Sequence, residues 1–243
     1  MCVMKDKVVL VTGAAHRVGA SIVRCFHAQG AKVVLHYRNS NKAATLIAEE
    51  LNEQRANSVM LISADLHDEQ SYSTMIDAVI FQFNRLDMLV NNASSFYSTL
   101  LGDVGMSQWD DLMASNLKAP FFLSQAASPY LAKSQGCIVN IVDIHAERPL
   151  KGNSIYCMAK AVLVMMTKSL AKEFGADIRV NAVAPGAILW PEDMDEDVKH
   201  EITERTALKR RGEPNDIAKA VLYLVRDAQY VTGQVMTIDG GRS

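Results

Sequence analysis

Short runs of β-branched and aliphatic residues recur along this chain at 7–12, 32–36, 58–63, 86–91, 137–142, 178–183 and 234–238. Longer amphipathic stretches fill the gaps at 17–29, 41–55, 68–84, 107–133, 153–174 and 214–227. Strands alternating with helices at this spacing predict an α/β fold, a doubly wound, Rossmann-type parallel sheet of seven strands. Several runs are almost continuous Val, Ile and Leu, as parallel strands covered on both faces require. No linker, repeat or low-complexity segment interrupts the pattern, so residues 1–243 read as a single domain, long enough for a well-buried core. The stretch 187–212 breaks the rhythm, with seven acidic residues between Glu192 and Glu204 and then Lys209-Arg210-Arg211. An insertion after a strand end lies beside the ligand crevice of such a sheet, and we read it as a substrate lid.

Composition closes off other classes. The net charge of −2 offers no electrostatic footprint for nucleic acid or an anionic membrane. The four cysteines have no C-x-x-C spacing and the six histidines no i,i+4 pair, which predicts free thiols in a reducing compartment and no metal site. No apolar run approaches the ~20 residues a membrane span needs, and the apolar stretch after Lys7 is soon interrupted by Gly13 and His16. These features predict a soluble, cytoplasmic protein.

The first strand runs into Thr12-Gly13-Ala14-Ala15-His16-Arg17-Val18-Gly19 and a helix follows. Glycine there lets backbone approach a pyrophosphate seated on the helix N-terminus. The second strand ends in His36-Tyr37-Arg38-Asn39-Ser40, with no carboxylate to accept from a ribose 2′-OH. Arg38, Ser40 and His36 would instead welcome a 2′-phosphate, which favours NADPH over NADH; the alternative is that Arg38 is a solvated surface charge.

Tyr156 and Lys160 lie four apart on one helical face, a spacing that suits a proton donor and an ammonium that lowers its pKa. Alone, this pattern arises by chance in many helices. Asp143, thirteen residues earlier at the end of the fifth strand, should point into the crevice and hold or relay a proton; the alternative is a cap on the next turn.

Together, Thr12-Gly13-x-x-x-Arg17-x-Gly19, Asn91-Asn92-Ala93, Asn116, Tyr156-x-x-x-Lys160, Pro185-Gly186 and Asp239-Gly240-Gly241 resemble the short-chain dehydrogenase/reductase pattern over essentially the whole chain. Most members carry Gly where Arg17 stands, Ser where Asp143 stands and Gly where Ser94 stands. Those departures, with Phe96-Tyr97 and His36-Tyr37-Arg38-x-Ser40, resemble pteridine reductases.

The resemblance implies that Tyr156 protonates a pterin ring nitrogen, Lys160 holds the nicotinamide ribose and tunes Tyr156, Asp143 orients Tyr156, and Asn116 kinks its helix. It implies a cofactor site of Gly13, Arg17, Val18, Gly19, His36, Arg38, Ser40, Asp65, Leu66, Asn92, Ala93, Ser94, Lys160, Pro185 and Gly186, with Asp65 on the adenine. Substrate would meet Arg17, Ser94, Tyr156 and Phe96, which stacks on the pterin. Trp190 reads equally well as a pocket wall or as lid packing. Family habit implies a homotetramer through the helices of Asn116 and Tyr156.

A pterin or folate-like C=N is the favoured substrate because an ionised Asp143 offers a carbonyl no oxyanion-stabilising hydroxyl. A keto reductase of acyl or small carbonyl substrates is the alternative. A non-catalytic NADP(H) sensor is a third reading, which the intact Tyr156, Lys160 and Asn116 set argues against.

Overall fold

The computed structural model describes residues 4–190 and 194–242. Within them, strands β1 (Val8–Val11), β2 (Lys32–Tyr37), β3 (Val59–Ser63), β4 (Met88–Asn91), β5 (Cys137–Ile141), β6 (Arg179–Pro185) and β7 (Val235–Ile238) form one parallel sheet ordered β3-β2-β1-β4-β5-β6-β7. Each lies within two residues of its predicted run.

The strand period of two sorts each run between two cores. Val9, Val11, Val33 and Leu35 face the layer of α1 (Arg17–Ala28), α2 (Asn41–Gln54) and α8 (Pro214–Arg226), against Ile22, Phe26, Ile47 and Val221. Val8, Leu10, Val34 and Ile138 face α3 (Gln70–Phe83), α5 (Ala119–Lys133) and α6 (Ser154–Glu173), against Met75, Leu123 and Leu163. Leu10 pairs with Val34 on one side of β1 and with Leu89 on the other, so the order reverses between β1 and β4. That switch point opens the crevice at the strands' carboxyl ends.

The helix expected over 107–133 is broken. Residues Met106–Met113 form α4, Ala114–Lys118 a π-helical turn, and α5 begins at Ala119. Pro120 has no N–H to give the carbonyl four residues back, that of Asn116. The side-chain amide of Asn116 meanwhile donates to the carbonyls of Leu112 and Ser95, both at 2.9 Å. A widened turn is the ordinary response to such an interruption.

Helix α6 corrects another expectation. At 20 residues with a mean hydropathy of 1.3, it is long and apolar enough to cross a membrane by length and composition. Its Ile155, Ala159, Leu163 and Leu170 are buried within the protein, the signature of a core helix against a parallel sheet. The segment read as a lid contains α7 (Glu196–Glu204), a helix without buried residues, capped by Asp195, whose carboxylate accepts from the Asp197 N–H. Residues 191–193, within that segment, and Cys2 lie outside the described residues.

Candidate active site

The loop after β1 is built by contact with the end of β4. A Cβ on Gly19 would come within 2.5 Å of the Gly13 carbonyl oxygen and 2.7 Å of the Asn92 amide nitrogen. One on Gly13, whose φ is +62°, would come within 2.8 Å of the Ala93 Cα. The Asn92 side chain donates to the carbonyls of Thr12 and Gly13, and the Thr12 hydroxyl accepts from the N–H groups of Asn92 and Ala93. Asn92 and Ala93 thus clamp the loop. The N–H groups of the first turn of α1 have no intrahelical partner, and neither a capping side chain at His16 nor an acidic residue in that turn competes for them. Such a helix start is shaped for a phosphate.

Arg17 occupies the glycine-like position with φ +52°. A left-handed conformation costs a non-glycine residue about 1 kcal/mol, so the chain holds an exposed guanidinium at the mouth of the loop against backbone preference. Val18 is half-buried against the core beneath it.

His36 corrects the reading of the second strand. Its side chain is buried; Nδ1 accepts from the Gly13 N–H at 3.1 Å, so the tautomer carries its proton on Nε2, which faces the Ala64 carbonyl at 3.1 Å. Burial lowers its pKa and keeps it neutral. His36 braces the loop and presents no cation to a phosphate. Arg38 and Ser40, at the start of α2, remain on the surface, with Arg38 Nη1 3.9 Å from Asp65 Oδ1. Leu66 is a core residue whose carbonyl accepts from the Tyr72 hydroxyl. Gly186 is demanded by the C-terminal segment: a Cβ there would meet the Asp239 Cβ at 2.6 Å, while the N–H of Gly186, just past Pro185, bonds to the Ile238 carbonyl.

The catalytic candidates converge at the end of β5. Asp143 serves two partners. Its Oδ1 accepts from the His145 N–H at 2.8 Å, capping a short 3-10 turn (Ile144–Ala146), and its Oδ2 accepts from the Tyr156 hydroxyl at 2.8 Å. Asp143 is thus the cap of the next turn and also the hydrogen-bond acceptor of Tyr156. Tyr156 and Lys160 are buried, and Lys160 donates to the Ile141 carbonyl at 2.9 Å, its Nζ 5.6 Å from the phenol centroid.

The electrostatics reverse the expected tuning. Burial, and then the neighbouring Asp143 carboxylate, push the Tyr156 pKa well above its ordinary value, while burial lowers that of Lys160 to about 8. A phenol facing a carboxylate through its own O–H loses more by ionising than the more distant ammonium returns. The pair is set to keep a proton on Tyr156.

Above this pair stands Phe96, 54% exposed, its ring edge-on to Tyr156 with centroids 4.8 Å apart. The Ser94 hydroxyl donates to Asn116 Oδ1 at 2.7 Å, so the π-helical turn fixes the loop that carries Phe96. Trp190, five residues past the end of β6, is half-buried. Local patterns missed His67, whose two ring nitrogens meet Asp65 and Asp111; only the tertiary structure joins them. Among the described residues no cluster of His, Cys, Asp or Glu could hold a metal ion.

A parallel sheet with a glycine loop at its switch point and a Tyr-x-x-x-Lys pair on the following crevice wall defines an oxidoreductase, and the chain belongs to the short-chain dehydrogenase/reductase family. Residues 13–243 match the family described as enoyl-(acyl carrier protein) reductase. The chain is 36% identical to pteridine reductase 1 of Leishmania tarentolae, the alignment covering 97% of this chain and 96% of that one. It is 34% identical to 3-oxoacyl-[acyl-carrier-protein] reductase FabG of Staphylococcus epidermidis, covering 97% and 98%. Its fold is similar to a Serratia marcescens short-chain dehydrogenase/reductase double mutant, with a TM-score of 0.92, 31% identity and 99% of both chains covered. A blue fluorescent protein from a metagenomic library, solved in complex with NADPH, gives 0.92, 35% and 99% of both.

Proposed function

We propose that this protein is an NADPH-dependent pterin reductase, reducing a dihydropterin or dihydrofolate-like C=N. The observation that carries the reading is the Tyr156–Asp143 hydrogen bond. A buried phenol held protonated by a carboxylate is a proton donor, suited to the reductive direction and to a ring nitrogen that must gain H⁺. NADPH, when bound, supplies the hydride. Arg17 and the first turn of α1 would hold its phosphates, Arg38 and Ser40 its 2′-phosphate, and Lys160 its nicotinamide ribose, with Asp65 toward the adenine. Phe96 would supply the stacking surface for a flat heterocycle. Asp143, which accepts from the His145 N–H as well as from the phenol, keeps the hydroxyl aimed.

The name of the Leishmania relative and the NADPH complex of the metagenomic protein support this reading. The FabG relatives, equally extensive in coverage, support a 3-oxoacyl reductase instead, in which Ser94, beside Tyr156, would steady a carbonyl oxygen. The free thiols of Cys25, Cys137 and Cys157 fit a reducing cytoplasm. The exposed Phe121 and Phe122 of α5 and Met158, Val162 and Met165 of α6 fit a homotetramer built on those helices. Trp190, half-buried after β6, would serve as one wall of the substrate site. Oxidation of NADPH followed at 340 nm with dihydrobiopterin, dihydrofolate and an acetoacetyl thioester separates the readings: turnover confined to the two heterocycles supports the first, turnover confined to the thioester the second.

A further inference from the structure

A histidine outside the catalytic group joins the two ends of the cofactor crevice. His67 lies in the loop between β3 and α3. Its Nδ1 is 2.8 Å from Asp65 Oδ1, and its Nε2 is 2.9 Å from Asp111 Oδ1 on α4. The Asp65 carboxylate is also bonded by the His67 backbone N–H at 3.0 Å, so ring and backbone grip it together. On the same helix, the Gln108 carbonyl accepts from the hydroxyl of Tyr97, next to Phe96, at 3.4 Å. Arg38 Nη1 approaches the same Asp65 Oδ1 only to 3.9 Å.

A neutral imidazole has one N–H and one lone pair, and a carboxylate can only accept. With its N–H on Nδ1, the ring donates to Asp65 beside the His67 backbone N–H, so Asp65 Oδ1 has two donors nearer than Arg38. Without the ring, Asp65 would turn to Arg38, and a guanidinium engaged by a carboxylate is less available to a phosphate.

We propose that His67 is a positioning residue that sets cofactor specificity: held between Asp111 and Asp65, its ring and backbone N–H engage the Asp65 carboxylate and leave the Arg38 guanidinium for the 2′-phosphate of the cofactor. The inference rests on the NADPH reading above. It places specificity for the 2′-phosphate partly in a loop and helix that do not themselves reach that phosphate.

The test is the ratio of NADH to NADPH dissociation constants, read by nicotinamide fluorescence on the full chain at pH 6.5 without substrate. His67→Asn should shrink that ratio by about two- to fivefold, the range of an exposed ion pair. His67→Lys, which keeps a side-chain donor for Asp65, should retain more of it. Adding Asp65→Asn to His67→Asn should restore the ratio, because no carboxylate then competes for Arg38; loss of an adenine contact affects both cofactors and cancels. A merely structural His67 would weaken both cofactors alike and show no such rescue. An unchanged ratio in folded His67→Asn overturns the proposal; should that variant not fold, Asp111→Asn, which frees the ring from α4, must shift the ratio in the same direction. A wild-type chain that binds NADH as tightly as NADPH instead overturns the cofactor reading itself, and the proposal with it.

Discussion

The Tyr156 hydroxyl donates to Asp143 across 2.8 Å inside the protein, while Lys160, one helical turn further on, spends its own hydrogen bond on the Ile141 carbonyl. The phenol is therefore coupled to a carboxylate before it is coupled to the ammonium. On the proposed reading, that ordering makes Tyr156 the proton donor.

Replacing Tyr156 by Phe removes the donor and leaves the ring beside Phe96. Turnover should fall by about 10²–10⁴-fold, while NADPH binding, measured by fluorescence, changes little. Asp143→Ala should lower turnover too and, by removing the negative neighbour that holds the phenol protonated, move the alkaline fall of kcat/KM to lower pH. A pH–rate profile of the Asp143 variant that keeps its wild-type alkaline limb would contradict this.

Lys160 is a buried ammonium whose pKa falls to about 8 in the native chain, below its ordinary 10.5. Below pH 8 the native state carries a penalised charge; between about 8 and 10.5 the unfolded chain binds the proton the native one has lost, so stability rises with pH there. Lys160→Met should therefore be more stable than wild type at pH 7, by roughly 2 kcal/mol, and inactive. Urea denaturation at pH 7 and pH 9.5 should show the advantage shrinking at the higher pH.

Much of the architecture is legible in local sequence. The period-two division of Val8-Val9-Leu10-Val11 between two cores needs only two covered faces, and Tyr156 and Lys160 reach one crevice because four residues make about one helical turn. What stayed hidden depends on distant partners. His36 reads as a phosphate ligand until Gly13 and Ala64 close on its two nitrogens. The break near Asn116 hinges on a missing N–H at Pro120 and a carbonyl at Ser95. The Tyr156 pKa is set by burial and then by a carboxylate thirteen residues away, neither of which a helical spacing reveals.

Arg17 tests that distinction between scaffold and ligand. Arg17→Gly relieves a left-handed backbone at φ +52°, so thermal stability should hold or rise by up to about 1 kcal/mol. NADPH affinity should drop about tenfold with the lost charge-assisted contact. Calorimetry and a cofactor titration on the same sample separate the two effects.

His36 predicts the opposite pattern. His36→Phe strips the Gly13 N–H of its acceptor and should cost about 1–3 kcal/mol of stability. Any loss of affinity should fall on NADPH and NADH alike, because the ring does not address the 2′-phosphate. Arg38→Ala should weaken NADPH selectively. Dissociation constants for both cofactors check the pair.

The most direct measurement compares wild type with Asp143→Ser, each supplied with NADPH and offered dihydrobiopterin and an acetoacetyl thioester in parallel. If a carboxylate-held phenol serves a ring nitrogen, the wild-type chain reduces the pterin and leaves the thioester, and the serine variant loses pterin turnover by at least about tenfold. Wild-type reduction of the thioester with the pterin untouched would contradict the account.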